Sequence, residues 1–70
     1  MEYVVVVERG ATSFGAYVPD LPGCIAVAKT REKVARLIRK AVEIHIDGLR
    51  QDGLEVPVPT STMEVVRIAA

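Results

Sequence analysis

Apolar and polar positions along the chain change period twice, and those changes divide it into elements. Tyr3-Val4-Val5-Val6-Val7 is an unbroken, β-branched run, which predicts a strand covered on both faces and therefore central in its sheet. Gly10-Ala11-Thr12-Ser13 reads as a hairpin loop, and Phe14-Gly15-Ala16-Tyr17-Val18 as the strand that returns, with Gly15 a point open to close backbone approach. Pro19-Asp20-Leu21-Pro22-Gly23 must reverse the chain: Pro22-Gly23 fits the centre of a type II turn, where proline presets φ and glycine accepts a positive one. Cys24-Ile25-Ala26-Val27-Ala28 is a third strand. From Thr30 to Asp52 the period becomes helical. Val34, Leu37, Ile38, Ala41, Val42, His45 and Leu49 form one stripe, widened by Ala35, Ile44 and Ile46, while charged side chains take the other side. Thr30 is suited to the N-cap, Glu32 to the positive end of the helix dipole, and Gly53 to the stop. Leu54 to Thr62, with Pro57 and Pro59, should run extended, and Glu64-Val65-Val66-Arg67-Ile68 has the composition of a last strand. The predicted order is βββαβ, an α+β domain with one long helix laid on one face of a small sheet.

Length makes this arrangement incomplete. Seventy residues form one domain, 1–70, with half of the residues apolar, and a sheet covered on one face only leaves apolar area bare. Cys24 has no second cysteine to pair with, and one histidine beside one cysteine does not make a structural zinc site. Self-association, as a dimer or tetramer, is the remaining way to cover that area.

The charges balance at nine basic and nine acidic residues, but unevenly. Lys29 to Arg50 holds seven basic and three acidic residues, a local net of +4, so the remainder is acidic. A solvated helix face with an Arg39–Glu43 contact accounts for it; an attraction for nucleic acid or an acidic partner is the sharper alternative, supported only weakly by a neutral chain with no aromatic residue on that face. No stretch is long and apolar enough to span a membrane, and the N-terminus lacks the layout of a signal peptide, so a cytoplasmic location is expected.

The segment Ala16-Tyr17-Val18-Pro19-Asp20-Leu21-Pro22-Gly23-Cys24, followed by Thr30-Arg31-Glu32 and then Glu43-Ile44-His45, resembles the HicB family of antitoxins. The Tyr3 to Glu8 strand and Gly48-Leu49 fit the same pattern, so that the likeness runs from Tyr3 to about Pro59. What the resemblance implies is a truncated RNase H-like βββαβ fold that self-associates. It further implies a partner, a small mRNA-cleaving HicA toxin, neutralised when its active site is covered. Many members also carry a C-terminal ribbon-helix-helix or helix-turn-helix domain. Nothing after Ala70 corresponds to it, so direct DNA binding is not expected.

Individual residues sharpen the reading. Asp20, in a constrained loop, either makes an Asx-type bond to a turn N–H or offers its charge to a basic toxin, with Leu21 and Pro22 beside it as candidate partner contacts. His45, with Ile44, Ile46 and Leu49, belongs to the core or to an oligomer interface, its ring bonded to a backbone carbonyl; a pH-sensitive oligomer contact is the alternative. No catalytic residue, metal or cofactor is expected: Glu2, Glu8, Asp20 and Glu64 are not placed to converge on two metal ions, and Glu43 with Asp47 is a bare pair on a solvated face. Cys24 should pack as a small apolar side chain. The function expected is therefore that of a non-enzymatic antitoxin. A solitary HicB-like oligomerisation or ligand-binding module without a toxin is the alternative.

Overall fold

The computed structural model describes residues 1–69. Three strands, β1 (Val6–Arg9), β2 (Phe14–Tyr17) and β3 (Ile25–Ala28), form an antiparallel sheet in the order β1-β2-β3, and the helix α1 (Arg31–Gln51) follows. The α+β architecture expected from the sequence is present, with two differences.

The first concerns the valine run, which lies at an edge of the sheet rather than at its centre. Pairing starts only at Val6, opposite Tyr17. Continuing that register would set Val4 against Pro19, which has no N–H to donate, while the N–H of Val18 is taken by the carbonyl of Cys24 at 3.2 Å. The second difference concerns the expected last strand. Residues 64–68 pair with no strand among the described residues, and every residue from Thr62 to Ala69 is exposed. Strand composition needs an open edge within reach before it yields a strand.

The core is small and lies between the sheet and the first half of the helix. Ala16, Val18, Leu21, Cys24, Ala28, Val34 and Ile38 are buried, flanked by Tyr3, Val5, Val7 and Phe14. Along β3 and the residue before it the small side chains, Cys24, Ala26 and Ala28, face inward while Ile25 and Val27 face out. A helix laid directly over this strand requires that arrangement, since only small side chains let the two backbones approach. Thr30 caps the helix as expected, its hydroxyl oxygen accepting the N–H of Lys33 at 3.1 Å, and Gly53 follows the C-terminus at φ +69°.

Length mismatch decides the rest. A helix of 21 residues spans about 31 Å, whereas strands of four residues span about 13 Å. The second half of α1 therefore overhangs the sheet, and Val34 and Ile38 are its buried residues.

Candidate partner-binding surface

The loop between β2 and β3 is closed by its own backbone. Leu21 N–H donates to Val18 O at 3.1 Å and Cys24 N–H to Leu21 O at 3.0 Å, with Gly23 at φ +85°, as the Pro22-Gly23 turn requires. Two successive turns point alternate residues in opposite directions. Leu21 goes fully into the core, at 0% exposure, while Pro19 and Pro22 stand in solvent. Of the candidate partner contacts, Pro22 is thus presented directly, and Leu21 supports the loop from below.

Asp20 makes neither a local Asx turn nor an open contact. One carboxylate oxygen accepts the N–H groups of Thr60 at 3.1 Å and Ser61 at 2.9 Å; the other accepts their hydroxyls, at 3.1 and 2.9 Å. Four donors occupy about the four lone-pair positions a carboxylate offers. These bonds, the Ser61 N–H foremost, outweigh partial desolvation and hold the Asp20 carboxyl below the usual carboxylate range. A second tie lies nearby, where the Tyr3 phenol donates to the carbonyl of Pro57. Together they lay the C-terminal segment alongside the N-terminal one, and an open groove runs between Glu2–Val5 and Pro59–Met63.

Ile44, His45, Ile46 and Leu49 all fall on the overhanging half of α1. Ile44 is 62% exposed and the other three are half-buried, so they fringe the core rather than fill it. Among the described residues, the His45 ring finds no backbone carbonyl; a half-buried imidazole can be satisfied by water instead.

One surface was not singled out by sequence reasoning. Register aligns Val6, Tyr17 and Ile25 in one row on the outer face of the sheet, with Glu8, Gly15 and Val27 in the next. Ile25 and Val27 are about two-thirds exposed, and a Cβ built at Gly15 meets open space. The signal was present in β3, where large and small residues alternate; which set faces the helix was not legible.

Cys24 is buried, and burial pushes its thiol pKa up. Among the described residues no three His, Cys, Asp or Glu side chains gather, and no helix is long and apolar enough to cross a membrane.

Against this geometry the comparisons with known proteins agree. The family model described as a HicB-like antitoxin of a bacterial toxin-antitoxin system matches residues 3–69. A UPF0150 protein of Helicobacter pylori is 35% identical over 49 residues, covering 70% of this chain and 68% of the relative. A 14.9 kDa protein of Haemophilus phage HP1 is 30% identical over 57 residues; the match takes in 81% of this chain but 43% of the phage protein, so this chain spans less than half of that relative. In three dimensions the chain is similar to one from a solved HicA3 and HicB3 toxin-antitoxin complex, with a TM-score of 0.73 at 25% identity over 86% of this chain and 70% of that one.

Proposed function

The chain belongs to the HicB-like antitoxin family, and on that premise we propose that it neutralises a HicA-type, mRNA-cleaving toxin by binding it and covering its active site, with no catalysis of its own. The observation that carries this reading is the structural likeness to a chain of the HicA3 and HicB3 complex, which extends over most of the sequence. A role in a toxin-antitoxin pair follows from the family; occlusion is supported by the rigid, outward-facing loop between β2 and β3, which offers a preformed surface to a partner.

The loop at Asp20, Leu21 and Pro22 is the proposed toxin contact. Its two turns and its buried leucine hold Pro19 and Pro22 in a fixed outward position, so little ordering cost falls on association. Asp20, its acceptor positions filled by Thr60 and Ser61, braces the loop against the C-terminal segment, and its charge acts on a basic partner at longer range rather than through a direct bond. Self-association, as a dimer or tetramer in the cytoplasm, completes the proposal, since the outer sheet face and the overhanging helix leave apolar area that one copy cannot cover.

Coexpression with the product of an adjacent reading frame, followed by copurification and an RNA-cleavage titration, tests the reading. Stoichiometric loss of cleavage is expected, weakened by Pro22→Glu. An adjacent small basic protein that cleaves RNA undiminished by saturating amounts of this chain would overturn it.

A further inference from the structure

Along the flank of α1 that faces away from β1, Leu37, Ala41, Ile44 and Gly48 follow one another at helical spacings of four, three and four residues. Leu37 is 41% exposed and Ile44 is 62% exposed, so the two large members of this seam have no sufficient cover within the chain. We propose that this seam is the contact through which a second copy of the chain docks, with the two helices antiparallel about a two-fold axis beside Val42 and Glu43.

Size and charge are complementary about the same axis. A two-fold antiparallel pairing centred between Val42 and Glu43 sets Leu37 against Gly48 of the other copy, and Ile44 against Ala41, a large residue over a small one at every layer. Among the described residues nothing within the chain requires a glycine at 48: its φ is not positive, and a Cβ added there meets nothing within 4 Å. A glycine within a helix costs about 1 kcal/mol relative to alanine, and close approach of another helix supplies the compensation. Beside the seam, on its solvent side, Lys40 and Asp47 are both exposed and are centred one residue further on, so that each lysine meets the aspartate of the other copy. The contact is thereby made twice. A parallel two-fold arrangement would instead place the Lys40–Asp47 edges of the two helices on opposite sides of the contact, where neither pair forms, so the charges favour the antiparallel orientation.

The proposal rests on the self-association reading above and adds its surface and its geometry. Sedimentation of the full chain at low ionic strength, where exposed pairs are least screened, tests it through a charge swap. Lys40→Glu and Asp47→Lys should each raise the dimer dissociation constant by about tenfold, because each places two repulsions where two attractions stood; the double variant should return it to within about threefold of the parent. Gly48→Gln, a substitution by a good helix former, should leave a folded monomer by circular dichroism. A parent chain that stays monomeric at all concentrations would overturn both the proposal and the self-association reading. A dimer indifferent to all these changes would overturn the proposal alone and move the contact to the outer sheet face.

Discussion

Asp20 and Ser61 lie 41 positions apart in sequence, yet the aspartate carboxylate takes both the backbone N–H and the hydroxyl of the serine at 2.9 Å. This pair, doubled by Thr60, makes one loop carboxylate the anchor of the C-terminal segment.

Replacing Asp20 by alanine is therefore expected to free that segment before it affects the core. Amide exchange at Thr60 and Ser61 should quicken markedly while the helix amides keep their protection, and toxin neutralisation should fall more than thermal stability does. Equal protection at 60 and 61 in the variant and the parent would remove the anchor from the account.

The same anchor has a pH dependence. Because the folded carboxyl titrates below its ordinary value of 3.8, its contribution is complete above that value and is lost as pH falls through the lower, folded one. Between neutral pH and about pH 5 the exchange rates at Thr60 and Ser61, corrected for the intrinsic pH effect, should stay level; in strong acid they should rise. A release complete already near pH 5 would contradict the direction of the shift.

Leu21 is fully buried beneath the loop it belongs to. Leu21→Ala should cost about 2–5 kcal/mol, the usual range for deleting a buried leucine side chain, and chemical denaturation will read it. A loss below 1 kcal/mol would mean that the loop collapses onto the cavity.

At the helix start, Thr30→Ala removes the side-chain acceptor of the Lys33 N–H and should cost about 1 kcal/mol. Restoration by Thr30→Ser or Thr30→Asp, but not by Thr30→Val, separates the hydrogen bond from the shape of the side chain.

Cys24, buried and with its thiol pKa raised, should react with a neutral thiol reagent only as fast as the domain opens. Rapid labelling of the native protein would show the strand start to be looser than its packing.

The sequence by itself determined everything that depends on neighbours in the chain. The helix is marked by its stripe, by Thr30 and by Gly53; the reversal at Pro22-Gly23 is marked by the two residue types that turn admits; and the family is marked by the run through that turn. What it left undecided depends on partners distant in sequence. Whether Tyr3 to Val7 lies at the centre or the edge, and whether residues 64–68 form a strand at all, depends on which backbone stands alongside to accept and donate. The tertiary structure decided that Asp20 holds Thr60 and Ser61 rather than its own turn, and that β3 turns its small residues to the helix. Local preference is written residue by residue, whereas hydrogen-bond partners and packing depth are properties of the assembled chain.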